Sequence, residues 1–133
     1  MGVLTGALFV GLIAKISNFF KKPVQVSIDF EKIELRSGTI IKVEEFPKAK
    51  KPAYKVWADF GPEIGILQTS AQITVLYTPE NLCGKSIVGC VNLPEKNIAG
   101  FMSQFLLVGF ATETGAISLI SANHSVPNGQ KLH

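Results

Sequence analysis

Between Leu35 and Ser121 the apolar residues come in short runs of strand length, several of them ended by glycine or proline, so the core of this stretch has to be assembled from small strands. The first run, Leu35 to Phe46, holds the strand formers Thr39, Ile40, Ile41 and Val43; Gly38 marks a bulge or tight bend, and Pro47 ends the run. A basic loop, Lys48-Ala-Lys-Lys-Pro52, follows. Tyr54 to Phe60 alternates, which sets Tyr54, Val56, Ala58 and Phe60 on one face. Gly61-Pro62-Glu63 turns the chain into a third strand, Ile64 to Ala71. Gln72 to Leu82, interrupted by Pro79, reads as a short helix plus a turn. Lys85 to Asn92 is a fourth strand, Leu93 to Gly100 a loop and Phe101 to Phe110 a fifth strand. Thr112 to Gly115 turns into a short sixth strand, Ala116 to Ser121, and Pro127-Asn-Gly129 is a last turn. Ahead of the strands, Asp29 can cap a short turn that carries Phe30, Ile33 and Leu35 inward. Five main strands with a helical segment between the third and fourth is the order of an OB-fold, an all-β, five-stranded Greek-key barrel with short flanking helices.

A chain of 133 residues has room for one such core and no separate catalytic domain. The barrel domain is expected over residues 28–133, behind an apolar extension, residues 1–27. Its run Gly2 to Ala14 carries no charge, and continued to Phe20 it would span about 28 Å as a helix, close to a bilayer core. A membrane anchor, a cleaved signal, a docked helix and a start assigned too far upstream all remain open for it; membrane contact is not the favoured reading, because Lys15 would sit inside the span and three glycines weaken it.

The net charge of +3 comes from Lys15, Lys21 and Lys22; residues 28–133 hold ten basic and ten acidic side chains. A neutral body can grip a phosphate backbone through a local patch, but it is not a general polyanion binder. Cys83 and Cys90 lack redox or zinc spacing and read as reduced, buried thiols in a reducing compartment, the cytoplasm.

Enzyme motifs fail in turn. Gly84-Lys85-Ser86 ends like a Walker A loop, but Pro79 stands where the motif needs its first glycine. His124 and His133 have no metal-ligand partner at the required spacing, Glu44 and Glu45 face opposite ways on a strand, and no G-x-S-x-G elbow exists. Asn123-His-Ser125 is a glycosylation acceptor only in a secreted chain. No catalysis, cofactor or metal is expected.

Two stretches suit binding. Lys48, Lys50, Lys51 and Lys55 cluster in and after the first strand–strand loop, where OB-folds contact oligonucleotides, or form an ordinary solvated loop. Asn92 to Ser103 mixes a lysine, amides, a hydroxyl and apolar groups; Phe101 or Met102 can stack on a ligand or close the barrel.

These stretches belong to a wider set of motifs: Asp29-Phe30 through Leu35-Arg36-Ser-Gly-Thr-Ile40, Ala49-x-Lys51-Pro52-Ala-Tyr-Lys55, Asp59-Phe-Gly61, Thr69-Ser-Ala-Gln-Ile73, Leu82-Cys-Gly-Lys85, Asn92-Leu-Pro-x-Lys96-x-Ile-Ala-Gly100-Phe-Met-Ser103 and Val126-Pro-Asn-Gly129. Together they resemble the tRNA-binding domain of CsaA-type proteins, which is also appended to methionyl- and phenylalanyl-tRNA synthetases and found in endothelial monocyte-activating polypeptide. The resemblance covers residues 29–133. It implies an OB barrel, a homodimer joined through regions flanking the barrel, and tRNA as partner, with Arg36, Gln68, Ser70, Asn92, Lys96 and Ser103 on the binding surface. CsaA proteins are also described as export-related chaperones, so unfolded or preprotein polypeptides are the alternative partner. One departure stands out: the family loop usually reads Pro-Pro-Lys, and Glu95 replaces its second proline, setting a carboxylate beside Lys96.

Overall fold

The computed structural model describes residues 29–133. The readings of residues 1–27 fall outside them. Among the described residues no helix is long and apolar enough to cross a membrane. The chain divides after Ile33. Residues 29–31 are helical, and Phe30 and Ile33, expected inward, are exposed.

Among the described residues all of the strands lie in the second unit, Glu34–His133: β1 (Leu35–Glu45), β2 (Tyr54–Asp59), β3 (Ile66–Ala71), β4 (Ser86–Cys90), β5 (Lys96–Ile98), β6 (Phe101–Ser103), β7 (Leu106–Leu107), β8 (Gly109–Ala111) and β9 (Ile117–Leu119). One sheet runs β3-β2-β1-β4-β7, every neighbour antiparallel. Its open edges meet where the Gln104 amide donates to Gln68 O (2.8 Å) and Thr69 Oγ1 donates to Phe105 O (2.5 Å). That nearly closes an antiparallel barrel, the OB-fold. Two short helices interrupt the strands: α1 (Gly61–Ile64), where a turn and the start of the third strand were expected, and α2 (Pro79–Leu82). Thr78 and Asn81 cap α2 reciprocally, Pro79 opens it, and Leu82 is fully buried in the core.

The alternation in β2 holds: Tyr54, Val56 and Ala58 are buried, with Phe60 behind them. Phe60 sits at the centre, edge-on to Phe105 at 4.9 Å between ring centroids. Its ring explains two glycines. A Cβ on Gly38 of β1 would lie 2.8 Å from it and one on Gly89 of β4 2.7 Å. Gly38 therefore makes room for a side chain, and the bulge expected there lies further on. The β1–β2 register shifts between Ile40 and Lys42, leaving Ile41 as the extra, exposed residue.

The expected fifth strand is broken into β6, β7 and β8, with two short hairpins as the result: β6 pairs with β5, and β8 with β9. The β5–β6 turn is the two residues Ala99 and Gly100, both at positive φ (49° and 87°). The cysteines are free; Cys90 is buried, whereas Cys83, expected buried, is exposed.

Candidate nucleic-acid interface

A strand with one buried face presents the other outward. With Tyr54, Val56 and Ala58 inside the barrel, Lys55 and Trp57 of β2 point out, and the ladder sets cross-strand rows beside them. Glu44, Lys55 and Ser70 form one row, and Lys42, Trp57 and Gln68 the next. The β5–β6 hairpin folds over this face. Trp57 Nε1 donates to Gln68 Oε1 (3.1 Å), and Gln68 Nε2 donates to Met102 O (3.0 Å). Phe101 stands edge-on to Trp57 (5.7 Å) and to Phe46 (5.6 Å).

Clefts open on both sides of the hairpin. One, of about 340 Å³, lies between the β1–β2 loop and the β5–β6 turn and contains Lys48 and Lys55 among its lining residues. The other, of about 410 Å³, brings together Ser70, Lys96 and Ser103 beside the apolar Leu93, Ile98 and Leu106. Lys50 lines a third recess on the far side of the loop, and Lys51 is exposed within the loop. Six of the ten residues singled out from sequence are thus on this face or in its clefts, and Lys50 and Lys51 sit in the adjoining loop.

Their hydrogen bonds separate them. Thr69 gives its one hydroxyl proton to Phe105 O, so in the 2.7 Å contact between Thr69 and Ser103 it is Ser103 that donates. Ser103 also accepts from the Ser70 amide (3.2 Å), so it braces the hairpin against β3. Gln68 is a brace of the same kind. The Ser70 hydroxyl, by contrast, makes no hydrogen bond within the described residues. Glu95 accepts from Gln104 Nε2 (3.3 Å).

Arg36 and Asn92 are elsewhere. Arg36 is at the other end of β1, where its guanidinium binds Glu34 Oε1 twice (2.7 and 3.0 Å) and Gly129 O (2.8 Å). Lys131 takes the other oxygen of Glu34 (3.2 Å). Asn92 Oδ1 accepts the Glu34 amide (2.9 Å). Beside them Ser37 donates to Pro127 O (2.7 Å), and Thr39 bonds Asn128 (2.8 Å). The motif pieces Arg36-Ser-Gly-Thr and Val126-Pro-Asn-Gly129 therefore meet as a latch that ties the C-terminal tail to β1. Arg36 beside Glu34, and then Lys131, hold that carboxyl below the usual glutamate range.

Charge follows the same division. Lys32, Arg36, Lys42 and Lys131 pair with carboxylates. Among the described residues Lys48, Lys50, Lys51, Lys55, Lys85 and Lys96 have no carboxylate at ion-pair distance; Lys48, Lys55 and Lys96 line the clefts beside the hairpin, and Lys50 and Lys51 belong to the adjoining β1–β2 loop. Lys42, Trp57 and Phe46 were missed as members of this face, although the period-two pattern that buries Val56 and Ala58 already places Trp57 beside Lys55 outside. No group of metal-binding side chains occurs among the described residues.

The family described as putative tRNA binding domain matches residues 35–131. The solved structure of chaperone CsaA from Bacillus anthracis str. Ames is 46% identical, with a TM-score of 0.74, over 79% of this chain and 94% of that one. The CsaA chaperone protein from Picrophilus torridus is 40% identical, with a TM-score of 0.76, over 80% of this chain and 97% of that one. The methionine–tRNA ligase of Methanocaldococcus jannaschii is 31% identical over 113 residues, which are 84% of this chain but 17% of the ligase. The chain spans about a sixth of the length of the curated relatives it matches.

Proposed function

The chain belongs to the putative tRNA-binding domain family, together with CsaA proteins, and from that premise we propose that it holds tRNA against the outward face of β1, β2 and β3. In this reading Lys48, Lys50, Lys51, Lys55 and Lys96 neutralise phosphates and the Ser70 hydroxyl meets the ligand directly. Gln68 and Ser103 hold the hairpin in place, and Arg36 and Asn92 serve the latch. The carrying observation is the set of lysines without carboxylate partners gathered on and beside one face of a body whose basic and acidic side chains balance overall. Such a set gives local affinity for a polyanion without general stickiness.

The protein acts by binding rather than by catalysis, in the cytoplasm and as a homodimer. Support for the dimer comes from the segment Phe105 to Val126, which holds no Lys, Arg or Asp and a single Glu, Glu113, and where Leu106 and Phe110 are exposed. Light scattering at micromolar concentration tests it.

Titration of total tRNA at several salt concentrations tests the main reading. Affinity should fall steeply with salt, and Lys96→Ala should weaken binding about equally for different tRNAs while lowering the salt slope by roughly one. An unfolded polypeptide, titrated in parallel, should bind more weakly. A salt-insensitive polypeptide complex tighter than the tRNA complex would turn the assignment toward the apolar cleft beside Ser70 and Lys96.

A further inference from the structure

The sharpest anomaly on the lysine face is Lys55. It is half-buried on β2, directly across the ladder from Glu44, yet the Glu44 carboxylate is engaged by Lys42 at 3.1 Å. The Lys55 ammonium instead lies over two aromatic rings, 4.9 Å from the centroid of Phe46 and 5.2 Å from that of Phe101. Ring faces attract a cation without neutralising it. The side chain is therefore fixed in place with its full charge still unanswered, and partly buried charge is costly to leave unpaired.

The surroundings say what can answer it. The cleft of about 340 Å³ in front of Lys55 is lined by Phe46, Pro47, Lys48, Ala99, Gly100 and Phe101, with no carboxylate among them. Gly100 leaves the turn side bare, since a Cβ there would meet nothing within 4 Å. Two ammonium groups offer donors only, and Lys55 lies over the ring of Phe101, so a base would have to displace it to stack there. A compact anion fits this chemistry better than a base edge does.

Building on the tRNA reading above, we propose that this cleft is a seat for one backbone phosphate of the bound RNA, with Lys55 as its fixed cation and Phe46 and Phe101 as positioning residues. A lysine held in place by rings has already lost much of the rotamer freedom that binding would otherwise cost. The seat reads no sequence, because a phosphate carries none. Phe101 reaches its place through the β5–β6 turn, whose Ala99 holds a left-handed conformation (φ 49°), so the hairpin geometry is itself part of the seat.

A double-mutant cycle on the full chain, read by total-tRNA titration across salt concentrations, tests the seat. Lys55→Ala should weaken binding about tenfold and lower the salt slope by roughly one. Phe101→Leu keeps the charge and most of the packing volume, so it should weaken binding about three- to fivefold with the slope unchanged. Phe101→Tyr should restore affinity. In the Lys55→Ala background Phe101→Leu should cost less than about twofold, because its effect runs through Lys55. Urea unfolding checks each variant; Lys55→Met and Phe101→Met replace any that fails to fold. If Phe101→Leu costs the same with and without Lys55, the ring only packs the hairpin and the positioning role is wrong. If Lys50/Lys51 and Lys96 substitutions weaken tRNA binding while Lys55→Ala does not, the seat is wrong and the tRNA face stands. If none of the lysines matters, both fall. If an acidic polypeptide depends on Lys55 and tRNA does not, the anion is a carboxylate and the phosphate seat is overturned.

Discussion

Near the start of β1, Arg36 and Lys131 share the carboxylate of Glu34; near its far end, Lys55 faces Glu44 across the ladder while that carboxylate is engaged by Lys42. The first region spends its charges on itself. Its cations pair, its carbonyls are capped by Arg36, Ser37 and Gly129, and Gly61 and Gly129 lie where a Cβ would run into the backbone of the facing segment. The second region keeps five lysines without carboxylate partners, sets Lys55 over two aromatic rings and braces the hairpin with hydrogen bonds. Both regions are built from motifs of one family, so sharing a family motif does not by itself mark a residue as ligand-binding. What separates the two uses is whether the polar group is already satisfied within the fold. Substitutions in the latch should then act on stability and those on the face on binding, with little crossover.

The largest expected effect is at the crossing of the tail with α1. Gly129 has φ +90°, and a Cβ there would lie 2.6 Å from Phe60 O, which is backbone and cannot swing away. Gly129→Ala should destabilise the domain by about 3 kcal/mol, measured as a lower urea midpoint. The folded fraction should bind tRNA with unchanged affinity and salt slope. A large loss of affinity at full folding would mean that the latch and the face are one site.

The converse comes next. Replacing Lys50 and Lys51 together by Ala should leave the urea midpoint within about 0.5 kcal/mol of the parent, since both are exposed and unpaired. tRNA affinity should fall about tenfold, with a shallower salt slope. Lost stability without lost affinity would reverse the assignment of the two regions.

A smaller effect concerns acid. Arg36, and after it Lys131, depress the pKa of Glu34, so the carboxylate form is favoured by folding. Its contribution is complete above the unfolded-state value and is lost as pH falls through the lower folded-state value. The parent should therefore lose stability relative to Glu34→Gln as pH descends through the carboxylate range, and the two unfolding curves should converge at the acid end. Parallel curves from neutral pH downward would show that Glu34 contributes shape and no charge.

The sequence showed the barrel and half of this division. The period-two run from Tyr54 to Phe60 displayed its buried face directly, and the turns after Phe46 and before Ser86 marked β1 and β4 closely. The latch role of Arg36 was not legible because its partners at Gly129 and Lys131 lie more than ninety residues away, beyond any local pattern. The β5–β6 hairpin was missed for a different reason. Lys96-Asn97-Ile98 is too short and polar to read as a strand, and the two-residue turn that reveals it carries alanine where such a turn prefers asparagine or glycine.

That alanine gives the smallest and most discriminating test. Both central residues of the Ala99–Gly100 turn sit at positive φ, and Asn97 Oδ1 already accepts the Gly100 amide at 2.8 Å. Alanine in the left-handed region costs about 1 kcal/mol, whereas asparagine is tolerated there and makes the favoured Asn-Gly pair. Ala99→Asn should therefore raise stability by about 0.5 to 1 kcal/mol, read as a higher urea midpoint with an unchanged slope. Ala99→Gly should be near neutral, because the relief of strain is offset by the greater freedom of glycine in the unfolded chain. The hairpin belongs to the lysine face and carries Phe101 to Lys55, so a firmer turn should also tighten tRNA binding, by less than about twofold. If Ala99→Asn stabilises the fold and weakens binding, the hairpin has to move when RNA arrives, and the lysine face is a clamp rather than a preset surface.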